Sequence, residues 1–247
     1  HGNALAREIY LAGERVAMGG IGEVSTRRAF RKKGLSGKLL TMALDYMNRR
    51  EIPLSMLFTD INAHYARYGW VTVPRRCVSV PMIEPLPEPF VLRGLAEPDL
   101  PAVMELRERT AARLDGPVAR NVAYWRDWMP FARKNPSVLL RGEDIVAYLD
   151  VDWDEKRRVL AVRDWGAVSD GALIWAAMSQ CARQMGIKAQ LHLPSALMPG
   201  INNTFAERFD LMWRLNAPIA LRGEIISSPE QLISAVANAT FFAADGF

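Results

Sequence analysis

Hydrophobic residues after position 34 recur at spacings of three and four, which is the period of an amphipathic helix. This pattern predicts a helix from residue 35 to about residue 50, with one apolar face turned toward a core. The positions that define this face are Leu39, Leu40, Ala43, Leu44 and Met47. A polar run containing glycine separates the helix from a strand-like stretch over residues 21–26. The pattern therefore predicts a strand, a turn and a helix in succession.

Shorter apolar stretches around this helix predict β-strands. Residues 8–11 and 16–26 favour a hairpin that turns near Gly13. Three further elements are expected after the helix, namely a buried strand, a short helix and another strand, over residues 53–58, 61–70 and 71–73. The order of these elements is typical of a mixed α/β sheet.

A proline-rich stretch over residues 81–89 is typical of an extended linker. Downstream of it, the pattern predicts strands over residues 90–93, 137–140, 144–152, 157–165, 188–193 and 212–215. Helices are predicted from residue 97 onward and over residues 118–133, 172–185 and 229–237. Because this order repeats the first one, we expect a duplicated fold. The predicted parts are a first domain of residues 1–83, a second domain of residues 84–220, and a C-terminal helix with an apolar tail over residues 221–247.

The composition is that of a globular protein. Of the 247 residues, 50% are hydrophobic and 23% are charged. No apolar run approaches the roughly 20 residues that cross a bilayer, so we expect a cytoplasmic protein that does not bind membranes. Cys77 and Cys181 form no CxxC pair, and the histidines show no ligand spacing, so free thiols and no metal are predicted. The net charge of +4 lies in short basic runs without interleaved aromatic residues, which favours a phosphate-bearing cofactor over nucleic acid.

The basic run before the predicted helix is the first candidate for chemistry. Its sequence is Arg31-Lys32-Lys33-Gly34-Leu35-Ser36-Gly37-Lys38. The first turn of a helix offers free N–H groups and a positive dipole end, and glycine lets the backbone approach a phosphate closely. The nucleotide loops GxxxxGK[ST] and GxGxxG are both absent. A surface turn that only caps the helix is the alternative interpretation of the same residues.

Arg31, Gly34 and Ser36 form the pattern Arg-x-x-Gly-x-Ser, which resembles the pyrophosphate loop of the GNAT superfamily of N-acetyltransferases. The stretch Tyr65-Ala66-Arg67-Tyr68-Gly69-Trp70 resembles the Tyr-x-Arg-Phe-Gly-Tyr segment of tandem GNAT acetyltransferases of the enhanced-intracellular-survival type. The resemblance implies an α/β chain with two tandem GNAT folds. The strand and two helices that open the first fold have no counterpart before His1, and we expect no sterol-carrier-like domain.

The resemblance implies a role for each matched residue. Val24 and Thr26 would offer backbone groups to the pantetheine arm of acetyl-CoA. The residues that would line the pyrophosphate are Arg31, Lys32, Gly34, Leu35 and Ser36. Tyr65 would be the general acid that protonates the departing CoA thiolate, and the carboxylate of Phe247 would be the general base. Glu23, on the presumed cofactor strand, is the second candidate for the base. The alternatives are a packed aromatic ring for Tyr65 and a frayed end for Phe247.

The loop and the tyrosine segment together predict direct transfer of an acetyl group from acetyl-CoA to a primary amine in a ternary complex. Residues 164–171, where a second copy would have its loop, are acidic and lack Arg-x-x-Gly, so only the first copy is expected to bind acetyl-CoA. The acceptor stays open between a small-molecule amine, such as an aminoglycoside, and a peptide amine. Whether the chain forms a homo-oligomer also stays open. A non-catalytic CoA-sensing or protein-interaction pseudoenzyme is the alternative function.

Overall fold

The computed structural model describes residues 1–85, 89–169, 171–194, 205–236 and 240–245. The strands are β1 (Asn3–Leu11), β2 (Glu14–Gly22), β3 (Leu54–Phe58), β4 (Val71–Thr72), β5 (Arg75–Val80), β6 (Phe90–Gly94), β7 (Asn135–Arg141), β8 (Asp144–Asp154), β9 (Val159–Ala167), β10 (Gln190–Pro194), β11 (Phe205–Arg208), β12 (Leu211–Leu215), β13 (Ile219–Leu221) and β14 (Glu224–Ile226). The α-helices are α1 (Leu35–Arg49), α2 (Asn62–Ala66), α3 (Leu100–Ala111), α4 (Val122–Asp127), α5 (Met129–Ala132), α6 (Gly171–Gln184) and α7 (Pro229–Ala235).

The first sheet has five strands in the order β1-β2-β3-β12-β4. Strands β1 and β2 form the predicted antiparallel hairpin, which turns at Ala12 and Gly13 with φ angles of 56° and 81°. Strand β3 runs parallel to β2, and α1 connects the two. The buried residues of α1 are Leu40, Ala43 and Met47, which belong to the predicted apolar face. Gly19 of β2 leaves room for the side chain of Met47, so the helix packs closely on the sheet.

The second sheet has seven strands in the order β11-β5-β10-β9-β8-β7-β6. Its strand β5 precedes the proline-rich stretch, whereas β12 of the first sheet comes from residues 211–215. Each sheet therefore contains one strand from the part of the chain that otherwise builds the other sheet. The predicted division of the chain at residues 83 and 84 stays a prediction, but the hydrogen bonds of β5 and β12 cross it.

The largest hydrophobic core lies between the two sheets. It combines Met18 and Trp213 of the first sheet with Val138 and Tyr148 of the second, all of them buried. Phe241, in the segment after α7, belongs to the same core. A small hairpin of β13 and β14 closes one side of it through Ile219. The mixed α/β architecture predicted from the sequence is confirmed.

The helix predicted over residues 118–133 is wrong in its extent. Val118 forms a bridge with Ile9 of β1, and the N–H of Ala119 donates to the carbonyl of Glu8 at 2.8 Å, so this part is extended. The helix begins only after Asn121, whose side chain accepts a hydrogen bond from the N–H of Tyr124 at 2.8 Å. Pro130 stands in the first turn of α5, so a break separates α4 from α5. The hydrophobic spacing of three and four continues through the N-cap at Asn121 and the break at Pro130. The spacing alone therefore did not show where α4 begins or where α5 separates from it.

The acidic turn predicted over residues 164–171 is also placed differently. Residues 164–167 belong to β9, and the side chain of Asp164 is fully buried rather than exposed in a loop. Asp164 pairs with Arg120, which explains an acidic residue inside a strand. The connection from β9 to α6 is correspondingly short. No helix in the described part of the chain is long and apolar enough to cross a membrane.

Candidate active site

The parallel strands β2 and β3 stop pairing at Ile21 and Leu57, and a cavity of about 600 Å³ lies beyond this point. Its lining comes from the ends of both strands, from the chain that follows each of them, and from α2. The lining residues are His1, Ile21, Gly22, Glu23, Val24, Ser25, Phe58, Thr59, Asp60, Ile61 and Tyr65. Because the carboxyl ends of parallel strands are a common place for ligands, this cavity is a candidate binding site.

A second cavity of about 460 Å³ adjoins the first along the chain that leads from β2 to α1. The two cavities share Val24, Ser25, Ile61 and Tyr65. The second cavity is also lined by Thr26, Phe30, Arg31, Lys32, Gly34, Leu35, Ser36 and His64. The structure therefore brings all the predicted cofactor residues and Tyr65 to one groove.

Gly34 is the N-cap residue of α1 and has a φ of 70°, in the left-handed region that favours glycine. Its carbonyl accepts the first helical hydrogen bond, from the N–H of Lys38 at 3.1 Å. No atom lies within 4 Å of the place that a Cβ at Gly34 would occupy, so the backbone here is open to a ligand. The free N–H groups of the first turn of α1 can bind an anion at this position.

Two basic side chains flank the N-terminus of α1. Arg31 is exposed, and its Nε donates to the carbonyl of Thr26 at 3.2 Å, which ties the end of the loop to its beginning. Lys32 has a φ of 62°, which is unusual for a residue with a side chain. The loop is thus tightly turned between Thr26 and Gly34, and both cations lie beside the helix N-terminus. This arrangement is compatible with a diphosphate group, and the predicted role of these residues stays a prediction.

Tyr65 lies on α2, and only 7% of its surface is exposed. Its ring contacts the edges of His64 and Trp70, with centroid distances of 5.1 and 6.3 Å. Burial, and next the negative charge of Asp60, raise the pKa of the Tyr65 hydroxyl above its ordinary value. Within the described part of the chain we find no hydrogen-bond partner for this hydroxyl. A protonated, unpaired hydroxyl at the boundary of two cavities is available to donate a proton to a ligand.

Glu23, the second candidate for the base, lines the larger cavity at the point where β2 ends. Its backbone has a φ of 54°, so the chain turns sharply there. Asn3 donates a hydrogen bond to its Oε2 at 2.8 Å, and Nε2 of His1 lies 3.1 Å from the same oxygen. The side chain is more than half exposed. Phe247, the first candidate for the base, lies outside the described residues.

Asp60 and Phe58 both line the larger cavity and are not among the site residues predicted from the sequence. A sequence signal exists for Asp60, because it is a carboxylate two residues after the end of the buried strand β3. No feature of the neighbouring sequence shows which residue packs against Phe58. The ring of Phe241 packs on Phe58 with a centroid distance of 5.0 Å, across more than 180 residues of sequence. The guanidinium of Arg75 lies 5.0 Å from the centroid of the same Phe58 ring.

Comparison with known proteins supports the assignment of this fold. Residues 1–73 match the family model described as acetyltransferase (GNAT) domain. No curated protein sequence matches the chain.

Among the described residues, no group of three or more His, Cys, Asp or Glu side chains could hold a metal ion.

Three solved structures show the similarity over most of the chain. The structure is similar to a GCN5-related N-acetyltransferase from Anabaena variabilis, with a TM-score of 0.67 and 18% identity over 87% of this chain and 59% of that one. It is similar to Eis1 from Mycobacterium abscessus, with a TM-score of 0.59 and 16% identity over 89% of this chain and 64% of that one. It is also similar to N-myristoyltransferase from Saccharomyces cerevisiae with bound myristoyl-CoA, with a TM-score of 0.54 and 13% identity over 92% and 67% of the two chains.

These similarities confirm that the chain has the fold of the GNAT N-acetyltransferases. The chain spans 59% of the length of the Anabaena protein, so it corresponds to a part of that protein. The predicted tandem arrangement, the absence of a sterol-carrier-like domain and the roles of individual site residues stay predictions.

Proposed function

We propose that the protein is an N-acetyltransferase that moves an acetyl group from acetyl-CoA to a primary amine in a ternary complex. The observation that carries this proposal is the pair of adjoining cavities with Tyr65 in the wall of both. One cavity lies beside the N-terminus of α1 and suits an anion, whereas the other has room for an acceptor. The match of residues 1–73 to the acetyltransferase (GNAT) domain supports the same conclusion.

The residues of the smaller cavity bind acetyl-CoA in this proposal. The backbone N–H groups at Gly34, Leu35 and Ser36 and the side chains of Arg31 and Lys32 hold the pyrophosphate. Val24 and Thr26 belong to the extended chain that follows β2, and their backbone groups bind the pantetheine arm. This path leads the thioester from the loop to Tyr65, because residues 24–26 line the groove between them.

The reaction forms a C–N bond and breaks the C–S bond of the thioester. The neutral amine attacks the thioester carbonyl, and the departing thiolate takes the hydroxyl proton of Tyr65. The raised pKa of Tyr65 keeps that proton in place at neutral pH, and the tyrosinate left after the transfer takes a proton from solvent before the next turnover. Holding the amine and the thioester side by side supplies a large part of the rate enhancement by itself.

A base must take the proton that the amine loses. Glu23, the candidate predicted from the sequence, lines the larger cavity, and Asp60 is a second carboxylate in the same lining. The carboxylate of Phe247 is the other candidate, suggested by the resemblance. Glu23 and Asp60 are acidic, and Lys and Arg are absent from the described lining of the larger cavity. This charge favours an amine as acceptor over an anionic compound.

The acyl group is proposed to be acetyl. A long acyl chain is the alternative, because the similar yeast N-myristoyltransferase structure contains myristoyl-CoA. Binding of acetyl-CoA, octanoyl-CoA and myristoyl-CoA by calorimetry, each followed by a turnover assay, distinguishes these donors. A clear preference for myristoyl-CoA in turnover would contradict the proposal of an acetyl donor without affecting the proposed site.

Release of free thiol from acetyl-CoA, measured over a panel of small amines and amine-bearing peptides, tests the proposed function. We expect amine-dependent thiol release and an acetylated product of the corresponding mass. A CoA-sensing pseudoenzyme would bind acetyl-CoA with no turnover on any amine, and Tyr65→Phe would change nothing. A nucleic-acid-binding protein would bind oligonucleotides with an affinity that falls steeply with salt, and a competition experiment with CoA would distinguish this binding from a cofactor site.

A further inference from the structure

Four charged side chains form a cluster that is completely removed from solvent. Its members are Arg107 of α3, Arg120, Asp164 of β9 and Asp245, each with no exposed side-chain surface. Arg120 donates from Nη1 to Asp164 at 2.7 Å and from Nε to Asp245 at 2.7 Å. Arg107 donates from Nη2 to Asp245 at 2.9 Å. Two cations thus share these two buried carboxylates, and Arg107 also donates from Nη1 to the partly exposed Glu108 at 2.7 Å.

Asp245 is the one member of this cluster that the C-terminal segment contributes. Its Oδ1 also accepts a hydrogen bond from the hydroxyl of Tyr124 at 3.0 Å, so three side chains hold one carboxylate. If Asp245 left its place, Arg120 would keep only Asp164, and Arg107 would keep Asp164 at 3.6 Å and the partly exposed Glu108. The loss of one carboxylate from a buried cluster of this kind is strongly unfavourable. The cluster therefore fixes the position of Asp245 more firmly than an exposed ion pair could.

The segment that leads to Asp245 is held along its length. The indole Nε1 of Trp128 donates to the carbonyl of Ala244 at 3.1 Å. The ring of Phe242 packs edge-on against Trp165 with a centroid distance of 4.1 Å. Phe241, the next residue back, lies on the ring of Phe58. The segment of residues 240–245 thus connects the buried charges with the wall of the larger cavity, four residues away.

We propose that Asp245 is a positioning residue for the candidate active site. Its buried carboxylate anchors the segment so that Phe241 supports Phe58 from behind, and Phe58 forms part of the acceptor cavity. The role in catalysis rests on the proposed function, but the positional link from Asp245 to Phe58 does not. Asp245 itself touches no substrate in this proposal and acts only through Phe241 and Phe58.

A fluorine label on Phe58 tests the link without any assay of activity. In the full chain carrying 4-fluorophenylalanine at position 58, the fluorine resonance reports the ring of Phe241. We expect Asp245→Asn to shift or broaden this resonance in the same sense as Phe241→Leu. Asp150→Asn is the matched control, because Asp150 is an equally buried carboxylate, bound to Arg163 and to the backbone N–H groups of residues 134 and 135. An Asp245→Asn spectrum identical to that of the parent would overturn the proposal.

Tyr124→Phe provides a milder variant, since it removes one hydrogen bond of Asp245 and keeps the buried charges paired. It is expected to shift the same resonance by a smaller amount if Asp245→Asn fails to fold. No shift in this folded variant would also count against the proposal.

Steady-state kinetics then separate positioning from general stability. For Asp245→Asn we expect the KM of the amine to rise at least about fivefold, with the dissociation constant of acetyl-CoA changed by less than about twofold. Asp150→Asn is expected to lower the melting temperature with neither constant changed. Equal changes of the two constants in Asp245→Asn and Asp150→Asn would show that Asp245 contributes to stability and does not position the site. If no amine is turned over by the parent chain, the proposed function fails, and the fluorine experiment still decides the positional link.

Discussion

Gly37, in the first turn of α1, lies directly against the hydroxyl end of Tyr68, which follows α2. A methyl group at Gly37 would overlap the hydroxyl oxygen of Tyr68 and would approach its Cζ to 3.3 Å. The helix N-terminus that we propose for the pyrophosphate is thus packed against the segment that carries Tyr65. The sequence predicts that this glycine lets the backbone approach a phosphate, whereas in the structure it makes room for the ring of Tyr68.

Gly37→Ala is expected to destabilise the protein by about 1–3 kcal/mol, because the tyrosine ring must move to accept the added methyl group. Thermal unfolding measures the loss. Gly94→Ala is the matched control, since no atom lies within 4 Å of a Cβ at that glycine. Adding Tyr68→Phe to Gly37→Ala should restore most of the lost stability by removing the overlapping oxygen. Unchanged stability of the single variant would show that the contact is not tight.

Gly34→Glu is expected to reduce acetyl-CoA affinity at least tenfold, about 1.4 kcal/mol, because it places a carboxylate beside the proposed pyrophosphate position. The φ of 70° adds a strain of roughly 1 kcal/mol to any side chain at this glycine. Gly142→Glu is the control, because its φ of 64° imposes the same strain in open space between β7 and β8. Calorimetric titration with acetyl-CoA measures both variants. Equal affinities in the two would rule out a pyrophosphate at Gly34.

Tyr65→Phe is expected to lower kcat by about 10²–10⁴-fold, because it removes the proposed general acid. Phenylalanine keeps the ring that packs against Trp70, so acetyl-CoA affinity and melting temperature should change little. Tyr46→Phe on α1 is the control for loss of a tyrosine hydroxyl outside the groove. A packed aromatic ring with no role in proton transfer predicts instead that both variants keep full kcat.

The pKa of Tyr65 gives an expected pH dependence. Burial and Asp60 raise this pKa, so the hydroxyl stays protonated up to and beyond its ordinary value near 10. The stability that it contributes is complete below pH ~10 and is lost as the pH rises through the folded-state pKa. Asp60→Asn should lower the pKa of Tyr65, whereas Asp45→Asn on the exposed side of α1 should not. Tyrosinate absorbance, compared with that of the same variant carrying Tyr65→Phe, measures the change.

Much of this site could be predicted from the sequence because its parts are local. Gly34, Arg31 and the N-terminus of α1 are neighbours along the chain, and the period of α1 fixed which face packs on the sheet. Tyr65 was identified by the residues around it. Strand β5 and the pairing of β12 with β3 could not be predicted, because apolar alternation marks a strand but not its partner.

The buried cluster of charged side chains could not be predicted from the sequence for a similar reason. Arg120 and Asp164 are 44 residues apart, and Asp245 is 125 residues from Arg120. Each is polar, so the pattern places each on the surface, and only the tertiary pairing makes burial favourable. The prediction of an acidic turn at Asp164 was wrong because it treated this buried aspartate as an exposed one. The local residues of the loop could therefore be predicted from the sequence, whereas the long-range contacts behind Phe58 could not.

The identity of the base can be decided by two alterations that act on different groups. Glu23→Gln removes a carboxylate from the larger cavity and keeps an acceptor for the hydrogen bond from Asn3. If Glu23 is the base, we expect kcat to fall by about 10²-fold or more while acetyl-CoA affinity is kept. In a chain that ends at Phe247, an extension of several residues displaces the terminal carboxylate and leaves Glu23 unchanged. If the carboxylate of Phe247 is the base, the extended chain should lose kcat by a similar factor and Glu23→Gln should not. Full activity in both altered chains would exclude both carboxylates and leave Asp60, which also lines the larger cavity, or water to accept the proton of the amine.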